Sequence, residues 1–431
     1  MKKILISTTL VALGATSLQA ASASGLSEID KAKPWALSAA LRGFYDDNYS
    51  TLPTHGAPVL PSGSLDARSS FGFEVSPSAS LNLPLEQTFI GLSYVYSLRY
   101  YEDRPIHKYD QSHQFNAKLD HNFTDRYKIQ LSDSFVIAQE PSLIDPNGLI
   151  TVPLRSEGNN RRNTASLDMT ASLTKELSLQ GGYANTLYDY QQTGFASRSA
   201  LLDRMEHLIT ANLRWQVQPT TVAILGYQYG IVHYSSNDAI GADPVTGALV
   251  GSNIRNNTSH YFYVGADQNF NNQLNGSIRV GAQYIEYHKL GQDDFSPYVD
   301  GNLTYAYAKD SYLQFGVRHQ HNQTDIAGIA SATNLTLDQE STSVYASLNH
   351  KITPSLTGSL LGQYQHSVYK GGTANNQADD YFIVGVNFNY RIDQAGHWQA
   401  EAGYNYDKLN SDLAFRSYHR NRLFLGVRAT Y

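Results

Sequence analysis

From position 35 to the last residue, apolar side chains recur at every second position over segments of roughly 10 to 15 residues. In "WALSAALRGFY" Trp35, Leu37, Ala39, Leu41 and Gly43 share one face, and Ser38, Ala40 and Arg42 take the other. "FGFEVSPSASLNL" sets Phe71, Phe73, Val75 and Leu81 against Glu74, Ser76, Ser78 and Asn82. "FNAKLDHNF", "LITANLRW", "GSIRVGAQY", "VDGNLTYAY" and "FIVGVNFNYR" repeat the scheme, and the chain closes on "RLFLGVRATY" in the same rhythm. Period two sends successive side chains to opposite faces of a strand. One face is too polar for a buried core, and the other runs too far for one soluble sandwich. The pattern predicts an all-β protein: a transmembrane antiparallel up-and-down β-barrel whose apolar face meets outer-membrane lipids.

Marking the segments gives about eighteen strands. They begin near Trp35, Ser70, Thr88, Ser112, Arg126, Asn163, Leu177, His207, Thr221, Thr258, Gln273, Phe295, Ser311, Thr342, Ser355, Tyr381, Trp398 and His419. Every second connection is short: 84–87, 124–126, 174–176, 218–220, 271–273, 309–311, 352–355 and 393–397. The others are mostly long and rich in turn formers, such as "STLPTHGAPVLPSGSLDA" and "SSNDAIGADPVTGALVGSNIRNN". Short periplasmic turns and long extracellular loops are the asymmetry of a bacterial outer-membrane barrel, and an even strand count returns both barrel ends to the periplasmic side.

The first 23 residues, "MKKILISTTLVALGATSLQAASA", read as a secretory signal peptide: two lysines, an apolar stretch, then small residues. A short periplasmic segment over 24–33 and the barrel over 34–431 complete the expected division. No apolar run approaches the roughly 20 residues of a spanning helix, so insertion must be by strands. There are 31 Tyr against 16 Phe and 3 Trp, and a ring with a polar tip suits the boundary between lipid and water. With no cysteine, neither a disulfide framework nor a thiolate metal site can form. A net charge of -6 argues against a nucleic-acid partner.

If the apolar face meets lipid, the other face lines a lumen. Alternation assigns to it Arg42, Arg99, Lys118, Lys128, Arg162, Arg214, Arg279, Arg318, Arg391, Arg422 and Arg428. The acidic residues with the same assignment are Glu74, Asp120, Asp168, Asp267, Asp300, Glu401 and Asp407. Eleven basic against seven acidic side chains leave an excess of four positive charges in a chain that is negative overall. Rings of Arg and Lys favour anions in a pore; pairing across neighbouring strands is the plainer alternative for any single residue. The compensating carboxylates, Glu102, Asp103, Asp243, Asp293, Asp294, Asp379 and Asp380, are expected in loops. Glycines on the inner face, among them Gly72, Gly226, Gly316 and Gly403, read either as small residues that keep the lumen open or as relief of curvature. An inward-folded loop could narrow the channel, with 140–160 and 235–257 as candidates.

Asp133 breaks the pattern by falling on the outward face, between Leu131 and Phe135. It marks a bulge, an oligomer contact or a different register. His319 and His321 share a strand face at a spacing that could hold a metal, but no third ligand stands near them in sequence, so they read as rim histidines. No Gly-x-Ser-x-Gly, clustered catalytic constellation or glycine-rich phosphate loop is present. The residues point to no enzyme, no cofactor and no metal.

The segment "GLSYVYSLRYYEDRPIHKYDQSHQFNAKLDHNFTDRYKIQLSDSFVIAQEP" resembles the putative beta-barrel porin 2 family of bacterial outer-membrane proteins. In that family a Tyr-rich strand precedes a strand carrying His, a turn, and a strand with Asp-Ser-Phe and Glu-Pro. The ending "SYHRNRLFLGVRATY" is similar to the family's last strand. Its outward face, Leu423, Leu425, Val427, Ala429 and Tyr431, also resembles the C-terminal signature that the barrel-insertion machinery recognises in outer-membrane proteins. Membership would imply a conduit, and the family's association with exopolysaccharide production would imply a sugar polymer as cargo. Two functions stay open on the sequence: a channel passing polar, anionic solutes or polysaccharide, or a non-conducting barrel serving as anchor or adhesin. A homo-oligomer is compatible with either.

Overall fold

The computed structural model describes residues 34–53, 59–60, 63–64, 68–105, 107–138 and 159–431. The expected signal peptide and the 24–33 segment lie outside them. In chain order the strands are β1 Trp35–Asp46, β2 Val59–Leu60, β3 Gly63–Ser64, β4 Ser70–Pro84, β5 Thr88–Tyr101, β6 Tyr109–Asn122, β7 Tyr127–Ala138, β8 Asn160–Ser172 and β9 Leu177–Tyr190. They continue with β10 Arg204–Gln218, β11 Thr221–Tyr234, β12 Ala239–Ala242, β13 Leu249–Gly251, β14 Asn257–Asn269, β15 Leu274–Tyr287, β16 Gln292–Ala308 and β17 Ser311–Asn322. The last five are β18 Asp338–Lys351, β19 Leu356–Lys370, β20 Ala378–Arg391, β21 Trp398–Ser411 and β22 Tyr418–Thr430. Two small hairpins, β2 with β3 and β12 with β13, stand apart. The other eighteen strands form one antiparallel sheet in which each pairs with its neighbours in sequence, and β1 pairs with both β4 and β22. That last pairing closes the barrel and removes its edges.

Alternation decides the faces. Along β1 the outward residues Trp35, Leu37 and Leu41 are exposed, whereas Ser38 and Arg42 are buried. The exposed apolar band continues round the ring through Phe71, Leu131, Met169, Ile209, Leu225, Val264, Ile278, Phe315, Val344, Phe388 and Leu425. All three tryptophans, Trp35, Trp215 and Trp398, stand exposed near the periplasmic ends of their strands, and Trp35 stacks on Tyr431 with centroids 5.8 Å apart. Farther up the outer face, Tyr94, Tyr183 and Tyr227 each bond a histidine diagonally placed on the neighbouring strand, His113, His207 and His260, at 2.8 Å. Asp133 keeps the outward position without any shift of register in β7 and accepts a hydrogen bond from Asn163 Nδ2 at 3.0 Å.

The periplasmic turns repeat one device. In "FTDRY", "LTKEL" and "ITPSL" the side chains of Thr124, Thr174 and Thr353 accept hydrogen bonds from the backbone two and three residues on. Asn271 does the same in "FNNQL". A short polar side chain that satisfies the turn's own N–H groups stabilises a tight reversal. At the other end the strands run on beyond the apolar pattern. β6, β8, β10, β16, β18 and β20 begin three or four residues before the expected Ser112, Asn163, His207, Phe295, Thr342 and Tyr381.

The inner-face glycines do not simply widen the lumen. A Cβ on Gly316 would fall inside the ring of Tyr345, one on Gly226 inside that of Tyr263, and one on Gly403 inside that of Phe424. Each glycine stands directly opposite its aromatic partner in the register, so the ring lies across the neighbouring strand. Gly316→Ala is therefore expected to destabilise the barrel by about 1–3 kcal/mol through overpacking. Urea midpoints of the folded protein in detergent check this, and adding Tyr345→Ser should restore most of the loss. Equal midpoints for Gly316→Ala and the parent would sink the packing account.

Candidate functional site

Every basic and acidic residue assigned by alternation to the inner face lies on the side opposite the apolar band, and most are tied into clusters. Arg42 on β1 reaches Glu74 on β4 and Glu401 on β21, each at 2.7 Å. Glu74 also holds Arg99 at 2.7 Å, and Glu401 holds Arg428 at 2.6 Å. Arg42, Glu74, Glu401 and Arg428 are all buried in this chain of three guanidinium groups and two carboxylates. Across the barrel, Asp267 on β14 bridges Arg214 of β10 and Arg279 of β15, both at 2.7 Å. Beside it Arg318 of β17 bonds Asp300 of β16 through Nε at 2.8 Å and through Nη2. Eight strands separate β1 from β14 in either direction round the ring, so the two clusters face each other.

The arrangement follows from the register. Glu74 stands opposite both Arg42 and Arg99, and Asp300 stands opposite both Arg279 and Arg318. Pairing across strands is thus real, yet in the first cluster and at Asp267 one carboxylate serves two arginines. Smaller pairs complete the wall: Arg422 with Asp407 at 2.8 Å and Lys118 with Asp120 at 2.9 Å. Asp168 faces inward opposite Gly182. Lys128 and Arg391 stand exposed at the periplasmic ends of β7 and β20, and Arg162 is buried with its Nη2 lacking a hydrogen-bond partner.

Alternation left out charged residues at or just beyond the expected strand ends. Arg420 forms a bidentate pair with Asp46, and Arg204 bonds Glu206 at 2.6 Å while stacking on Tyr188. Arg420 has the parity of Arg422, so one more turn of alternation reveals it. Four carboxylates expected in loops lie on strands instead. Asp379 is buried and bonds Arg416 at 2.8 Å and Tyr369 at 2.6 Å. Asp380 faces outward and accepts from Tyr364. Asp293 accepts from Tyr284 Oη at 2.8 Å, and Asp294 lies beside His321.

The extracellular connections are locked into one body. Ala200, Ile240, Val250, Leu335 and Leu337, from three different connections or their margins, pack as an apolar core against Ile285 and Tyr287 on the inner face of β15. Arg255, fully buried, donates to the carbonyls of Thr324 and Leu201 at 3.1 and 2.5 Å, and its guanidinium lies over Tyr234. Arg416 grips Asp325 through two bonds of 2.8 and 2.9 Å. Asp243 Oδ2 accepts from the Ala332 backbone at 2.8 Å. The backbone N–H groups of Thr246, Ala332 and Val245 hold the Asp243 carboxyl below the usual carboxylate range. Of the two loops expected to fold inward, 235–257 is therefore part of this lattice, packed against the inner wall. Within 140–160, residues 140–158 lie outside the described residues.

Among curated proteins none matches the chain. Among solved structures it is similar to the outer membrane protein opdK from Pseudomonas aeruginosa, at 12% identity and a TM-score of 0.45 over 92% of this chain and 99% of that one. It is also similar to OccK9 (OpdG) of Pseudomonas aeruginosa, at 13% identity and 0.46 over 92% and 98%. A BenF-like porin from Pseudomonas fluorescens Pf-5 is alike at 10% identity and 0.47 over 92% and 98%. A closed eighteen-strand barrel with an apolar outer band and an aromatic periplasmic girdle belongs in the bacterial outer membrane. The last nine strands of the ring, β14 to β22, fall in the stretch that is similar to a known family: residues 252–431 match the family described as putative beta-barrel porin 2, a stretch that takes in the terminal strand but not the Tyr-rich segment over 91–141.

Proposed function

We propose that the barrel is an outer-membrane channel for small polar anions. The observation that carries this reading is the stoichiometry of the inner wall, where three guanidinium groups share two carboxylates on one side and Arg214, Arg279 and Arg318 share Asp267 and Asp300 on the other. Guanidinium stays charged at any physiological pH, so each cluster keeps one positive charge in excess. Two such clusters facing each other across a lumen attract anions and repel cations. The loop lattice favours a small solute over a polysaccharide chain, because Arg255 and Arg416 tie connections together over much of the rim.

Reversal potentials in planar bilayers under a salt gradient test the proposal. The channel is expected to prefer chloride to potassium at low salt. The preference should fade as the Debye length falls from about 10 Å at 0.1 M to about 3 Å at 1 M. Replacing Arg214, Arg279 and Arg318 together with Gln should turn their cluster negative and lower the anion-to-cation permeability ratio severalfold. Cation preference in the unaltered protein would overturn the reading, and a folded barrel that never conducts would favour the anchor or adhesin.

A further inference from the structure

The extracellular parts of β16, β17 and β18 bring Asp294, His321 and Asp338 together, with one ligand atom from each within 4.8 Å of the others. His321 is 5% exposed and Asp338 1%. His321 Nε2 makes no hydrogen bond, and the contact between Nδ1 and Asp338 Oδ1 is an ion pair without good hydrogen-bond alignment. Asp338 Oδ1 stands 3.2 Å from Nδ1, and Asp294 Oδ2 stands 3.8 Å from Nε2. Buried polar atoms are normally satisfied, so a buried Nε2 without a hydrogen-bond partner, facing a carboxylate 3.8 Å away, points to a missing ligand.

We propose that Asp294, His321 and Asp338 form a binding site for a divalent transition cation of the zinc class. One imidazole and two carboxylates suit zinc, cobalt or nickel and supply too few oxygens for calcium. Two donors on one zinc stand roughly 3.4 Å apart, given bonds of about 2.1 Å, so the side chains need close only slightly. The Asp294 side chain is 38% exposed, which leaves an entry for the ion and a coordination position for water. Tyr287 Oη donates to Asp338 Oδ2 and fixes that carboxylate from behind, as outer-shell partners of metal ligands do. His319 stays outside the set, because its ring bonds Thr342 at 2.7 Å and Glu340 at 3.0 Å.

The site has a mechanical consequence. His321 and Asp338 bracket the 323–337 connection, which carries the Thr324 and Asp325 links of the loop lattice. A cation joining both to Asp294 clamps the base of that connection to the barrel wall.

Calorimetric titration of zinc into the folded, chelator-stripped barrel in detergent tests the site. One equivalent is expected to bind, and the barrel should give a tetrahedral cobalt absorption spectrum when cobalt is used instead. His321→Gln should weaken zinc binding by roughly a hundredfold or more, beyond the 10–100-fold that outer-shell losses cost, while His319→Gln should leave it unchanged. Heat-modifiable migration reports whether each variant is folded. If His321→Gln fails to fold, Asp294→Asn, at the exposed edge, takes its place and should bind at least tenfold more weakly. Absence of saturable binding by the folded parent, or binding indifferent to the ligand variant, overturns the proposal.

Discussion

Arg255→Ala is expected to loosen the extracellular mouth while leaving the barrel closed. Its guanidinium is fully buried and holds the 191–203 and 323–337 connections through the carbonyls of Leu201 and Thr324. Hydrogen bonds from a charged group contribute about 1.5–3 kcal/mol each, so losing both shifts the open population of the loops by roughly a hundredfold or more. Folded variant barrels should become sensitive to protease within 235–256 and 323–337, and single-channel conductance should rise. Heat-modifiable migration should not change, because the strand ladder is untouched. Unchanged cleavage and conductance would show that the apolar core of Ile240, Val250 and Leu335 holds the mouth without it.

The Asp243 link adds a limit on acid sensitivity. Its carboxyl is held below the ordinary range by backbone donors in the folded loops. A depressed folded value contributes stability that is present above the unfolded value and lost as pH falls through the folded one. From neutrality to about pH 4, near the ordinary aspartate value, this link should therefore hold. Conductance traces across that interval check it: removing the link by Asp243→Asn should change the traces at pH 7 more than acidification to pH 4 changes the parent.

The barrel was legible in the sequence because lipid imposes a rule that each strand obeys separately. Trp35, Ser70, Thr88, Leu177, Thr221, Ser311 and Trp398 mark strand starts correctly, and all but Ser70 lie at periplasmic ends where the bilayer and the turns begin together. At the extracellular ends the ladder continues into water, where the outer face no longer needs to be apolar. Asp293 and Asp380 occupy such positions, which is why they read as loop residues. The inner wall was legible in its parity and not in its partners. Nothing in a linear pattern shows that Glu401 meets Arg42 at the seam where the barrel closes, 359 residues away. Tyrosine was half legible: Tyr94 and Tyr183 stand on the outer face as expected, whereas Tyr263, Tyr298, Tyr381 and Tyr418 are buried on the inner one. The links made by Arg255 and Arg416 belong to connections without periodicity, so alternation carried no signal for them.

The seam cluster allows stability and selectivity to be separated, because its members oppose each other in charge and cooperate in structure. Arg42 links Glu74 to Glu401, and through them β4, β1 and β21. Removing one partner of a buried ion pair typically costs about 3–5 kcal/mol, so Arg42→Gln and Glu401→Gln should both lower the urea midpoint of the folded barrel. Their effects on the pore should have opposite signs. With three arginines and two glutamates the cluster carries one positive charge in excess; Arg42→Gln brings it to zero, and Glu401→Gln raises it to two. Reversal potentials should therefore move toward cations in the first variant and further toward anions in the second, although both are less stable than the parent. If both variants shift selectivity in the same direction, the change reflects a general loosening of the wall, and the charge excess at the seam does not set the preference.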